Sequence, residues 1–331
     1  MKYLPDKFLS ALILAIIIAS FAPIAGTAAE WFSLLTKIFV GLLFFLHGAK
    51  LSPKAAFAGI VHWRLHLTVL AATFILFPIL GLLAGFVIPG FKQSTFYLGV
   101  LYLCVLPSTV QSSIAFTSIA GGNVPAAIVS ASASNIFGMF LTPLLVGILF
   151  TTSNHVSGMS TSAFESIIVQ LLLPFVLGQI FQHWIGDFIR RHKGLTGIVD
   201  RGSIIMVVYL AFSQAMTGHL WRDTSWHDLA IMIIIDIILL VIVLLITWYG
   251  SKLLGFKKED RITITFCGSK KSLASGAPMA NAIFAGAGGK IGAIVLPLML
   301  FHQIQLMACT IIARHLAESK IKSNENRRKK T

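Results

Sequence analysis

Residues 266–279 read FCGSKKSLASGAPM, and apolar runs lie on both sides of them. A lysine at the bilayer centre costs roughly 2.5–3.5 kcal/mol on insertion scales. An adjacent pair, Lys270 and Lys271, set among three serines and a Gly-x-Pro is therefore expected to have a task. The surrounding chain says where the stretch lies. Of 331 residues, 56% are hydrophobic and 11% charged, less than half the roughly 25% charge of a soluble domain. The sequence predicts an all-α polytopic membrane protein.

A net charge of +14 raises the question of nucleic acid. The lysines and arginines instead lie in short loops between apolar segments, where they set membrane orientation, so no nucleic-acid partner is expected. Cys104, Cys267 and Cys309 all fall in apolar segments, which gives neither a disulfide framework nor metal-ligand spacing. Packing explains Cys104 and Cys309, and Cys267 belongs to the lysine stretch. The N-terminal MKYLPDK and the apolar run after it resemble a signal peptide. Many further spans follow, so a retained first span is expected.

Spans of about 20 apolar residues are predicted at 8–25, 31–49, 66–88, 95–119, 123–151, 163–186, 198–218, 228–250, 261–285 and 288–316. With the N-terminus placed inside, the inner side holds Lys2, Lys7, Lys50, Lys54, Arg64, Arg190, Arg191, Lys193, Arg201, Lys252, Lys257, Lys258, Arg261 and the basic residues from Arg314 to Lys330. The outer loops hold only Lys92, Arg222 and Lys290. An even span count with this asymmetry places both termini in the cytoplasm. The tail at 319–331 becomes a basic topology anchor near anionic membrane lipid. All six tryptophans, Trp31, Trp63, Trp184, Trp221, Trp226 and Trp248, fall near span ends, as an interfacial aromatic belt requires.

Two spans break the apolar pattern at corresponding places, each fourth in a group of five. Span four contains LPSTVQSSIAFTSIAGGN, residues 106–123, and span nine contains the lysine stretch. Pro107 lacks an N–H and disturbs the helix around it. Ser108, Thr109, Gln111, Ser112 and Ser113 can replace the lost hydrogen bonds or line a polar cavity. In span nine Gly268, Gly276 and Pro278 loosen the helix, and Ser269, Ser272 and Ser275 compensate. Interrupted segments at matched positions of two halves mark a transporter's binding site. Irregular backbone at this depth survives only when buried in protein or lining water. Five spans per half make the second half inverted, with repeats at 1–160 and 161–318.

These residues resemble the bile acid:sodium symporter family over essentially all ten spans. They are most similar to its orphan seventh branch and the bacterial proteins like it, where Cys-Gly-Ser also precedes Lys-Ser-Leu. The resemblance implies a ten-helix inverted-repeat fold, with a panel and a core domain and two broken helices that cross. It also implies secondary transport of an organic anion such as a bile acid, coupled to sodium, across the plasma (inner) membrane.

Carried over residue by residue, the family's first motif keeps Pro107 and Ser112, with Ser113 in place of an asparagine. A family glutamine on helix three lines up with Thr73, and a ligand threonine on helix five with Ser130. In the second motif Phe266 stands where the family has a glutamate, and Lys270 and Lys271 stand where it has amides. Sodium loses its one acidic ligand and gains two cations that repel it, which argues against two-site sodium binding. One ammonium can instead sit where a sodium ion would and satisfy the same oxygens. Desolvation disfavours a lysine's charged form, so proton-linked coupling and uniport are both open. Neighbours on a helix diverge by about 100°, so the two lysines have different tasks, and the other is free to meet an anionic substrate. Lys271 aligns with the seventh-branch lysine and is the stronger candidate for the cation role. A structural alternative has one lysine neutralising a buried acid and the other snorkelling to the interface.

Asp236, in MIIIDIILLV, is the one acid deep in a span and a possible charge partner of Lys270 or Lys271. Lys37 is expected to snorkel, and His47 and His302 to be structural. His302, Gln303 and Gln305 make span ten locally polar. Nothing in the sequence forms a cofactor motif, a metal site or a nucleophile–base pair, so no enzyme is expected. The site set is Thr73, Ser108, Thr109, Gln111, Ser112, Ser113, Ser130, Cys267, Ser269, Lys270, Lys271 and Ser272, with sodium or a proton as possible coupling ion. A membrane regulator or sensor that keeps the transporter fold without net transport is the alternative. The sequence shows no soluble domain through which a sensor would signal.

Overall fold

The computed structural model describes residues 7–50, 62–94, 96–152, 168–217, 225–284 and 291–328. Lys2, Lys54, Trp221, Arg222, Lys290, the 160/161 repeat boundary, the start of the sixth span and residues 329–331 lie outside them. Helix is the regular structure of the described residues. In chain order the helices are α1 (Lys7–Phe21), α2 (Gly26–Lys50), α3 (Trp63–Val87), α4 (Tyr97–Val105), α5 (Gln111–Ile119) and α6 (Val124–Thr152). They continue with α7 (Leu173–Arg191), α8 (Lys193–Thr217), α9 (Trp226–Leu253), α10 (Lys258–Gly268), α11 (Leu273–Ile283) and α12 (Ile291–Arg328). Helix stands at each of the ten expected segments, and the fourth and ninth are each split in two.

Six stretches, Gly26–Ala49, Trp63–Val87, Val124–Phe150, Thr196–Thr217, Trp226–Leu253 and Ile291–Ser319, are long and apolar enough to cross a bilayer. α9 shows why. Its 28 residues rise about 42 Å at 1.5 Å each, more than the hydrocarbon core's roughly 30 Å. Its buried face runs Met232, Ile235, Asp236, Leu239, Leu240, Val243, Thr247 and Ser251, the three-and-four spacing of one helix face. The protein is an integral, polytopic membrane protein.

The chain forms two compact units that interleave in sequence. One comprises Met1–Pro53, Pro143–Leu229 and Leu273–Leu296. Within it α2 and α7 pack at close range through small residues. A Cβ on Gly48 would strike the Phe175 carbonyl, and one on Gly178 the Phe45 carbonyl. Gln179 Nε2 donates to the Gly48 carbonyl across the same seam. Backbones approach this closely in membranes only where side chains are small. His47 Nε2 lies 3.6 Å from Asp200, a structural pairing of α2 with α8.

The other unit comprises Lys54–Thr142, Ala230–Ser272 and Pro297–Thr331. One of its apolar clusters joins Leu65, Val69, Ala126, Ala127, Ile264 and Cys267. A second joins Phe116, Ala120, Ile262, Phe266, Cys309 and Ala313. α5 ends on left-handed Gly121 (φ 72°). Gly122 N–H bonds the Thr117 carbonyl at 2.8 Å and Gly121 N–H the Ser118 carbonyl at 3.1 Å, the paired bonds of a Schellman cap. Asn123 then starts α6 and latches onto α10, its Nδ2 donating to Asp260 at 2.8 Å and its N–H to Thr263 Oγ1 at 3.0 Å.

Candidate functional site

Both interruptions lie where the sequence places them. Between α4 and α5, residues 106–110 leave the helix, and between α10 and α11, residues 269–272 do. Each opening leaves carbonyls unbonded at the end of the preceding half-helix. Ser108 Oγ donates to the Cys267 carbonyl at 2.6 Å and Ser113 Oγ to the Phe266 carbonyl at 3.1 Å, so the first break closes the end of α10. Ser272 N–H donates to the Pro107 carbonyl at 2.9 Å. Lys271 Nζ donates to the Cys104 and Leu106 carbonyls, each at 2.8 Å, so the second break closes the end of α4. The two openings satisfy each other.

The third partner of Lys271 comes from α3. Pro78 has no N–H to offer back along its helix. One π-helical turn, Ala72–Leu76, passes the Phe77 N–H to the Ala72 carbonyl. The Thr73 carbonyl is left free, and Lys271 Nζ donates to it at 2.8 Å. Only a protonated amine has three N–H donors, so three acceptors describe an ammonium. The Phe77 ring lies 4.1 Å away on another side. Bonds to a charged group contribute roughly 1.5–3 kcal/mol each. Three of them offset the several kcal/mol that burying an ammonium costs, and the negative end of the α4 dipole adds to them.

Lys270 stands differently. It is 0% exposed, like Lys271, yet its Nζ has no hydrogen-bond partner among the described residues. It lies 3.7 Å over the Phe116 ring and 5.6 Å over that of Phe266. A desolvated cation–π contact contributes about 2 kcal/mol, less than the burial costs. The adjacent lysines have separate environments, one saturated and one short of a partner.

The flanking backbone is pinned from α12 and α6. Gln305, 0% exposed, accepts from Lys271 N–H through Oε1 at 2.9 Å and donates to the Lys271 carbonyl through Nε2 at 2.9 Å. The N–H of Lys271 fixes which end of the amide is oxygen, so Nε2, 2.9 Å from His302 Nδ1, is the donor there too. On α6, Ser134 Oγ accepts from Ser108 N–H at 3.0 Å, and Asn135 Nδ2 donates to the Ser108 carbonyl at 2.7 Å. A Cβ on Gly138 would strike the Pro107 ring, so glycine makes room for the proline.

The remaining candidates have varied placements. Thr109 Oγ1 bonds Ser112 at 2.6 Å and Ser113 at 3.1 Å. Gln111 opens α5 and is exposed. Thr73 meets Lys271 through its carbonyl, while its hydroxyl bonds back to Val69 at 2.8 Å. The Ser269 hydroxyl likewise bonds back to Thr265 at 2.6 Å. Cys267 contributes its carbonyl and packs its thiol in the apolar cluster. Ser130 bonds His66 Nδ1 at 2.7 Å, and it is Ser134 and Asn135, further along α6, that reach the break.

Asp236, the possible charge partner of Lys270 or Lys271, is fully buried. Neither Asp236 oxygen has a hydrogen-bond partner among the described residues; the Lys271 ammonium bonds three carbonyls and Lys270 lies over two aromatic rings. Sequence reasoning missed Gln305 in its bidentate role, and Ser134 and Asn135. Their one signal was polarity inside apolar helices.

A model of the SBF-like CPA transporter family matches residues 6–318. The chain belongs to that family. Its members are transporters and not enzymes, and the resemblance to the bile acid:sodium symporters holds. The chain is 50% identical over 309 residues to the Escherichia coli protein named "Putative symporter YfeH", covering 93% of this chain and 92% of that one. It is also 50% identical over 316 residues to the Pseudomonas aeruginosa protein PA2026, covering 96% and 94%. Sodium/bile acid cotransporter 7-B of Xenopus laevis is 28% identical over 312 residues, covering 93% and 90%. A small-molecule substrate follows from the family.

Proposed function

We propose that the protein is a secondary transporter of a small amphipathic organic anion, bile-acid-like in character, working by alternating access in the plasma (inner) membrane. In this account ten spans form two inverted five-helix repeats, 1–160 and 161–318, with both termini cytoplasmic. The two breaks, including Ser108, Thr109, Ser112, Ser113, Cys267, Ser269 and Ser272, form the substrate and coupling region. The observation that carries the proposal is the unequal pair: Lys271 saturated by three carbonyls, Lys270 buried beside it with no hydrogen-bond partner among the described residues. A cation held in protein without a counter-charge suits a substrate that brings one. Sodium coupling of the usual family kind is disfavoured, because Phe266 replaces the acidic ligand.

The test is uptake of a labelled bile acid and of simpler organic anions into proteoliposomes, with imposed sodium or proton gradients. Saturable uptake is expected, little changed when choline replaces sodium. Lys270→Gln is expected to lower kcat/KM at least about tenfold, the equivalent of 1.4 kcal/mol. A folded wild type that moves no anion above empty vesicles would overturn the proposal in favour of a regulator that keeps the fold.

A further inference from the structure

The three carbonyls around Lys271 Nζ are arranged as an ion site. Thr73, Cys104 and Leu106 each place an oxygen 2.8 Å from one point, and the Phe77 ring faces that point from 4.1 Å. None of the three oxygens is spoken for by its own helix. The π turn and Pro78 release the Thr73 carbonyl. Ser108 N–H, the helical partner of the Cys104 carbonyl, donates instead to Ser134, and Leu106 lies in the break itself. The oxygens come from α3, the end of α4 and the first break, and from the second break the Lys271 ammonium alone meets them. The socket is therefore made without Lys271, and its carbonyls need a cation or water whatever residue stands at 271.

We propose that this socket is a monovalent-cation site which the chain fills with its own lysine, so that Lys271 acts as a tethered ion. Vacating it opens the site to a free ammonium, alkylammonium or alkali cation. Three neutral carbonyls and an aromatic face suit a single charge. A divalent ion would call for more oxygens, carboxylates among them, and among the described residues the acceptors around Lys271 Nζ are carbonyls. In the native chain the junction of α3, α4 and the second break then needs no dissolved cation to hold together.

The experiment is thermal melting of purified wild type, Lys271→Ala and Lys271→Met in chloride salts of ammonium, methylammonium, potassium, sodium and N-methylglucamine at equal ionic strength. Lys271→Ala is expected to melt low in N-methylglucamine and to recover saturably in one or more of the small cations. At a hundredfold excess over Kd the rise should be about 4 °C, from mass action and the usual dependence of Tm on stability. Wild type, whose socket is filled, and Lys271→Met, whose side chain blocks it without charge, should show no such rise. If Lys271→Ala does not fold, Lys271→Ser repeats the measurement. Equal melting of the alanine variant in every cation, an equal rise in wild type, or unfolded protein for both variants in every cation would each overturn the proposal. The readout needs no substrate, so its failure and a failure of the transport proposal are separate results.

Discussion

Gln305→Leu removes the one side chain that pins the Lys271 backbone on both sides. Gln305 is 0% exposed and makes two bonds of 2.9 Å to Lys271, one through each end of its amide. Leucine nearly preserves the volume and deletes both. A buried donor or acceptor left without a partner costs about 1–3 kcal/mol. The lower bound counts the Lys271 N–H alone, because His302 Nδ1 already stands 3.5 Å from the Lys271 carbonyl and its other tautomer can donate there. The upper bound counts both groups. The expected destabilisation is about 1–6 kcal/mol, or roughly 1.5–9 °C in Tm at an unfolding entropy near 2.1 cal/mol/K per residue. Scanning fluorimetry of the detergent-solubilised protein measures it, with Gln303→Leu, two residues away and outside this network, as the control. Should Gln305→Leu melt with the control, the claim that the opened backbone depends on this amide is wrong.

Lys270→Met is expected to melt no lower than wild type, because it removes a buried ammonium that has no hydrogen-bond partner among the described residues and loses only cation–π contacts of about 2 kcal/mol; a large drop would reveal a partner. Asp236→Asn should likewise leave Tm within the range of a neutral change, since neither carboxylate oxygen accepts a hydrogen bond among the described residues, and a loss above about 3 kcal/mol would mean that a buried pair had been broken. Gly178→Ala should lower Tm by the equivalent of 1–3 kcal/mol, roughly the cost of overpacking, because its Cβ meets the Phe45 carbonyl; unchanged melting would argue against the close α2–α7 seam. Ser108→Ala should cost about 1–3 kcal/mol through the orphaned Cys267 carbonyl, and Ser108→Thr should recover part of it.

Helix positions were legible because hydropathy reports burial in lipid directly, and the interruptions because Pro107, Gly268 and the serines around them disrupt that signal. The pairing of the breaks was legible from their matched places. The contacts were not. Lys271 binds three carbonyls, and a carbonyl leaves no mark in a sequence, since every residue carries one. Thr73 was singled out for a side chain and contributes its backbone, released by a π turn ahead of Pro78. Asp236 was a possible charge partner for either lysine, and Lys271 bonds helix-end oxygens. Gln305 was visible only as polarity on the last span, because its role depends on a backbone brought to it from 34 residues away.

The most direct test of the central claim is the accessibility of position 270. In a variant whose Cys104, Cys267 and Cys309 are replaced by serine or alanine, Lys270→Cys is exposed to a membrane-impermeant thiol reagent in right-side-out and inside-out vesicles. Alternating access around Lys270 requires modification from both faces, slowed by a transported anion. Modification from neither face, or from one face only and unaffected by any anion, would contradict it.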